Sequence, residues 1–189
     1  MGIAERKGRQ RAERENRITA AARLIAEGEG WAAVTIRRLA DEIEYSQPVL
    51  YAHFENKDAI VAAVAVEGFR EIATTLQEAA LGSTDRRDAL DNVAMAYLAF
   101  ARIQPALYEA MFTLPTGLCF AEAGTRPELK AAFDALASVV TPARTDAAVA
   151  TETFWAALHG LAELERSGRI RSSARVERVA LVVHGLLGC

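Results

Sequence analysis

Apolar positions along this chain recur at three- and four-residue spacing almost throughout, the signature of helices that each bury one face. Ile18, Ala21, Ala22 and Ile25 share a stripe, which predicts a first helix from about Arg11 to Glu27, stopped by Gly28 and Gly30. Trp31 and Val34 read as apolar anchors in the loop that follows. Thr35 is placed to cap a short second helix, Ile36 to Ile43, with Ile36, Leu39, Ala40 and Ile43 on its inner side. Glu44 and Tyr45 make a tight connection. Ser46 then caps a third short helix with Pro48 in its first turn and an inner stripe of Leu50 and Phe54. Asn56 caps a long fourth helix through Ile60, Val64, Ile72 and Leu76.

Gly82-Ser83-Thr84 interrupts the pattern, and a fifth helix follows through Leu90, Val93, Tyr97, Phe100 and Ala101. Pro105 opens a sixth that ends near Met111 or Phe112, and Thr113 to Gly124 reads as a loop. Thr125 and Glu128 have capping-box spacing before a seventh helix that Pro142 ends. An eighth is expected from Thr145 to Ser167, and a ninth from Ala174 to Leu187 with Val176, Val179, Ala180, Val183 and Leu187 on one side. No stretch alternates as a half-buried strand does. The fold expected is all-α, with about nine helices: three at the N-terminus over residues 1–60, then a helical bundle over 61–189. Two short helices three or four residues apart fit a helix-turn-helix, whose second helix enters the DNA major groove.

Composition agrees with helix, since alanine is abundant and aromatics make up only 7% of the 189 residues. Cys119 and Cys189 cannot build a disulfide framework, and no Cys/His spacing resembles a zinc site, so no metal or cofactor is expected. No uncharged apolar run reaches the ~18 residues of a membrane span, and the charged N-terminus lacks the apolar core of a signal peptide. A cytoplasmic protein with no membrane partner is the expectation. Charge is unevenly spread: residues 1–23 carry seven basic against three acidic side chains, while the rest of the chain carries 15 against 22. A basic arm on an acidic body suits a polyanion meeting one end.

The residues from Thr35 to Lys57 sharpen this reading. Leu50-Tyr51-x-His53-Phe54-x-Asn56-Lys57, preceded by Gly30-Trp31, by Thr35-x-Arg37-x-Leu39-Ala40 and by Gln47-Pro48, resembles the signature of the tetracycline-repressor (TetR) family over about residues 11–69. That resemblance implies a helix-turn-helix regulator that binds a palindromic double-stranded DNA operator as a homodimer. Tyr51, His53, Lys57 and Thr35 are then expected to meet phosphates, which fixes register without reading sequence. Gln47 can pair with adenine and Arg37 with guanine, while Pro48 and Val49 can press on a thymine methyl. Arg37 reads equally as a solvated charge. The sequence departs from the family at Glu44, where glycine is usual, and at Tyr45, where a smaller apolar residue is usual. A strained or altered turn is expected there.

Farther along, Trp155-x-x-x-His159-Gly160 resembles the Trp-His-Gly type of C-terminal domain found in part of the same family. The resemblance implies a cavity for an unidentified small-molecule effector, with Met95, Phe100, Tyr108, Met111, Phe112, Phe154, Trp155 and His159 as candidates. Each reads also as plain core, and His159 as a histidine satisfied by a local hydrogen bond. Leu158, Leu161, Ala162, Val179, Val183 and Leu187 are the candidate dimer contacts, with the protomer's own core as the alternative. The function implied is a ligand-responsive regulator, a repressor released from its operator by a small apolar or amphipathic molecule. Alternatives are an activator, a regulator without an inducer, and, more remotely, a helical adaptor that binds protein. Catalysis is not expected. Gly28-Glu29-Gly30-Trp31 follows a helix instead of a strand, and His159 with Glu163 makes two ligands, too few for a metal site.

Overall fold

The computed structural model describes residues 2–120, 122, 124–140 and 146–187. Among them are α1 (Ile3–Glu29), α2 (Ile36–Glu42), α3 (Gln47–Tyr51), α4 (Lys57–Leu81), α5 (Arg86–Ile103), α6 (Pro105–Phe112), α7 (Pro127–Ala137), α8 (Ala147–Arg166) and α9 (Arg175–Leu187). Short 3-10 turns at Trp31–Ala33 and Ser172–Ala174 complete the regular structure, and no strand occurs among the described residues. The protein is all-helical, with a helix-turn-helix near its N-terminus. Pro142, Thr145 and Cys189 lie outside the described residues.

Two compact units divide the chain. One comprises the segment up to Gly68 together with Ala106–Leu118; the other comprises Phe69–Pro105 and the chain from Cys119 onward. In the first, Ile18, Ala22 and Ile25 of α1 and Val34 after the Trp31 turn are buried, as are Leu39 and Leu50. α1 packs on α2 and on the Trp31 turn, and α2 packs on α3. The α6 N-terminus is held by α1, since Glu27 accepts hydrogen bonds from the Ala106 and Leu107 backbone N–H groups at 3.1 and 3.0 Å. The buried Trp31 indole N–H donates to the Ala106 carbonyl at 2.8 Å. At Gly68 a helix face comes so close to α6 that an added Cβ would sit 2.6 Å from Met111 Sδ.

In the second unit α5 packs on α8 and α9, α7 on α8, and α8 on α9. Tyr97, Leu90, Phe154, Leu158 and Val183 are fully or almost fully buried there. The α8–α9 junction is fastened by Glu165, which accepts from both Arg175 and Arg178 at 2.6 Å. Burial alone would raise the Glu165 carboxyl, but those two guanidinium groups hold it below its ordinary value.

Several element ends differ from expectation. α1 starts eight residues early, because Ala4, Glu5, Arg6, Lys7, Arg9 and Gln10 are good helix formers that need no apolar face. The Glu5 carboxylate accepts the Gly2 N–H at 3.0 Å and closes that end. Gly28 lies inside α1, and the turn out of the helix comes at Gly30, whose φ is 81°. Thr35 caps α2 and Asn56 caps α4 as expected, accepting the Arg38 and Ala59 N–H groups. Ser46 precedes α3 with no hydrogen bond from its side chain, and Phe54 lies beyond the end of that helix. The Thr125 capping box does not form: Arg126 is the N-cap residue of α7, Thr125 accepts the Glu122 N–H, and Glu128 pairs with Arg70 and Arg126.

Candidate nucleic-acid interface

The helix-turn-helix is built from α2, a turn at Ile43–Ser46, and α3. Leu39, Ala40, Ile43 and Leu50 turn inward, which leaves the opposite faces of both short helices in solvent. On those faces Thr35, Arg37, Gln47, Pro48 and Tyr51 are exposed, and Val49 is half-buried. No side-chain hydrogen bond or ion pair among the described residues engages Arg37, Gln47 or Tyr51, so their polar groups are available. The neighbouring Arg38 is not: both its terminal nitrogens donate to Glu29, at 3.2 and 2.7 Å. Thr35 accepts the Arg38 N–H at 3.1 Å and keeps its own hydroxyl proton for an outside acceptor.

The turn carries the departure noted in the sequence. Glu44 has φ 57°, in the left-handed region that glycine occupies freely and other residues adopt at a cost. Tyr45, directly after it, takes Arg17 of α1: the guanidinium lies 5.0 Å from the ring centroid and donates to the phenol oxygen at 2.9 Å. That brace spans 28 residues of sequence and was not legible from spacing.

Two of the expected phosphate ligands are engaged elsewhere. The His53 side chain is only 7% exposed, with Nδ1 3.3 Å from a Glu15 carboxylate oxygen. Burial works to raise the Glu15 carboxyl, but hydrogen bonds from Arg11 and His53 outweigh it and hold the group below its ordinary value. Lys57 is half-buried, and its ammonium donates to the Trp31 carbonyl. A cation at the first residue of α4 faces the positive end of that helix, so a nearby carbonyl is the favourable place for it. His53 and Lys57 therefore act here as ties to α1 and to the Trp31 turn, while Arg37, Gln47 and Tyr51 form the open surface. Lys57 and Trp31 also line a cleft of about 490 Å³ with Asp58, Val61, Glu109 and Pro115; none of the eight effector candidates borders it.

Those candidates divide between the units. Tyr108 and Met111 are buried on α6, and the Tyr108 and Phe112 rings lie 4.8 Å apart in the first unit. In the second, Phe100 and Phe154 are buried, while Met95, Trp155 and His159 are half-buried. The Trp155 indole donates to the Tyr97 hydroxyl at 3.1 Å, and its ring lies 6.5 Å from Phe120, which meets Phe69 edge-on at 5.6 Å. Phe69, Tyr97 and Phe120 thus join the Trp155 neighbourhood without having been singled out. Phe120 stands in a Gly- and Pro-containing loop, where no helical period marks it. Burial pushes the His159 imidazolium below its ordinary value, against the charge of Glu163.

Of the expected dimer contacts, Leu158, Ala162, Val179 and Val183 are buried within their own unit, where α8 and α9 pack on α5 and on each other. Leu161 and Leu187 keep partial exposure. The apolar side chains that α8 and α9 leave most open are Val149, Leu164, Val176 and Leu181. Among the described residues no group of three or more His, Cys, Asp or Glu could hold a metal, and no helix is long and apolar enough to cross a membrane.

Comparison with known proteins bears on the same segments. Residues 18–64 match the family model described as bacterial regulatory proteins, tetR family, and residues 90–186 match a tetracyclin repressor-like C-terminal domain. An uncharacterized HTH-type transcriptional regulator of Mycobacterium tuberculosis is 31% identical over 158 residues, covering 80% of this chain and 69% of the relative. A protein of unknown function from Rhodococcus sp. RHA1 superposes with a TM-score of 0.74 at 22% identity, over 91% of this chain and 92% of that one. A tetR-family regulatory protein from Rhodococcus RHA1 gives 0.65 at 17% identity, over 92% and 96%.

Proposed function

Because the chain belongs to the tetR family of bacterial transcriptional regulators, and so is a DNA-binding protein and not an enzyme, we propose that it is an operator-binding repressor released by a small apolar or amphipathic molecule. The observation that carries the DNA side is the set of unengaged polar groups on one surface: Arg37 on α2, Gln47 and Tyr51 on α3. Gln47 and Arg37 read base edges, Pro48 and Val49 rest on thymine methyls, and Tyr51 and Thr35 hold phosphates. A palindromic operator and a homodimer follow from the short reading helix, since one α3 gives little affinity and a twofold pair engages two half-sites. Leu161 and Leu187, with the exposed Leu164, Val176 and Leu181, supply the apolar area for that pairing.

Residues 1–60 serve as the DNA-binding domain and 61–189 as the effector and dimerisation domain in this reading. The effector side is supported by the aromatic group around Trp155, with Met95, Phe100, Phe154 and His159 nearby in sequence or on the same helices. Such surroundings favour an apolar ligand oriented by a few polar groups. By linkage, a ligand that weakens operator binding must itself be bound more weakly when DNA is present.

A salt titration of binding to the duplex upstream of the protein's own gene tests the DNA assignment. Tyr51→Phe weakens every duplex alike, whereas Gln47→Ala costs about 1–3 kcal/mol at one base pair and relaxes the sequence preference there. Unchanged binding by both variants overturns it. A helical adaptor would show no affinity falling steeply with salt.

A further inference from the structure

The first half of α1 behaves unlike the second. From Ile25 toward the N-terminus, positions 25, 21 or 22, and 18 form the face that packs inside the first unit, and all are buried. Continuing at the same three- and four-residue steps, that face carries Arg14, Arg11 and Lys7, all exposed. The helix overhangs the rest of its unit, and its formerly apolar stripe turns cationic. Residues 3–17 hold six basic and three acidic side chains, and they lie ahead of the segment that matches the family model. Arg6, Lys7 and Arg14 have no side-chain partner among the described residues, whereas Arg11 pairs with Glu15.

The place where the overhang begins is fixed by contacts already described. Glu15 touches His53, two residues past the end of α3, and Arg17 holds Tyr45, two residues before its start. α1 therefore runs alongside both ends of the reading helix at residues 15–17, and the cationic stretch projects from there. Twelve helical residues at 1.5 Å each reach about 18 Å, the span of about five base pairs.

The geometry points to the α1 overhang as a second DNA contact, in which Arg6, Lys7 and Arg14 bind backbone phosphates outside the footprint of α3. This rests on the DNA-binding reading above and extends it to duplex flanking the operator. The partner is a phosphate backbone, because Arg6, Lys7 and Arg14 are exposed cations spread over about two turns of one helix, and phosphates recur along a duplex whatever its sequence.

The test uses the full chain and the triple variant Arg6→Gln, Lys7→Gln, Arg14→Gln, on a labelled random-sequence duplex several helical turns long. Glutamine keeps the helix propensity, and a melting curve verifies that the variant folds. Anisotropy is followed across roughly 50 to 200 mM salt. Each lost phosphate contact removes about 0.9 from the slope of log K against log salt, so the slope falls by about 2 to 3 for each bound chain. The charge-preserving variant Arg6→Lys, Arg14→Lys retains the wild-type slope. Binding by wild type with an equal slope in the glutamine variant overturns this inference alone. Failure of wild type to bind any duplex overturns the functional reading, and this inference with it.

Discussion

Replacing Trp31 by phenylalanine removes one N–H donor from a buried site and shrinks one ring. In the structure that N–H donates to the Ala106 carbonyl at 2.8 Å, and the residue is 5% exposed. Ala106 lies in the first turn of α6, where its carbonyl also accepts the helix's own bond, so the loss is that of an ordinary hydrogen bond, about 0.5–1.5 kcal/mol, and not of an orphaned acceptor. The smaller ring leaves a residual cavity; at about 24 cal/mol per Å³, about 40 Å³ adds about 1 kcal/mol. The sum is about 2 kcal/mol. For a chain of this size each kcal/mol moves Tm by about 2–4 °C, so a drop of roughly 4–8 °C is expected in a thermal melt followed by far-ultraviolet circular dichroism. Glu27 remains on the α6 N-terminus in the variant, so the unit still folds. A shift under about 1 °C, equivalent to a few tenths of a kcal/mol, would refute the claim that this bond and this ring fasten α6 to the Trp31 turn.

Glu44→Gly removes a left-handed side chain and a negative charge beside the reading helix, so it raises stability by roughly 0.5–1 kcal/mol and tightens DNA binding at low salt; a destabilised variant contradicts the strain assignment. Gly68→Ala drives a Cβ to within 2.9 Å of Leu107 Cδ1 and closer still to Met111, and loses about 1–3 kcal/mol in denaturant unfolding, whereas Gly28→Ala, with nothing within 4 Å, gains about 0.5–1 kcal/mol. The Glu165 carboxyl is held below its unfolded value of 4.5, so the stability it confers is complete above that pH and disappears as pH falls through the folded value. Acid unfolding of Glu165→Gln should accordingly show a shallower decline below about pH 4.5 than wild type, and identical slopes would show that the two arginines do not matter to it.

Much of the architecture was written in spacing. The buried set Ile18, Leu39, Leu50 and Val93 sits where helical periods put it, and Thr35 and Asn56 cap the helices they precede. What spacing could not supply was which of two apolar sides of a helix faces home. On α9, Val179 and Val183 of the expected stripe are buried, but Val176 of the same stripe stays exposed, as does Leu181, because burial depends on where the neighbouring helices end and not on period alone. Nor could a motif reveal partners far away in sequence. The residue types of the signature were plain at His53 and Lys57, yet Glu15 and the Trp31 carbonyl, 38 and 26 residues distant, hold their polar ends. Thr125 and Glu128 had the spacing of a cap, but Arg70 and Arg126 compete for the carboxylate with full charges, and the cap is not formed.

The fastening of Glu165 to Arg175 and Arg178 has an effect beyond the hairpin it closes. Two guanidiniums gripping one carboxylate set the register of α9 against α8 before any second molecule arrives. In the proposed homodimer, a partner laid against Leu164 and Leu181 would meet a template whose rows are already aligned, leaving little conformational freedom to surrender on association. Loosening that grip would be felt first as slower and weaker assembly, in a protomer whose interior is otherwise unaltered.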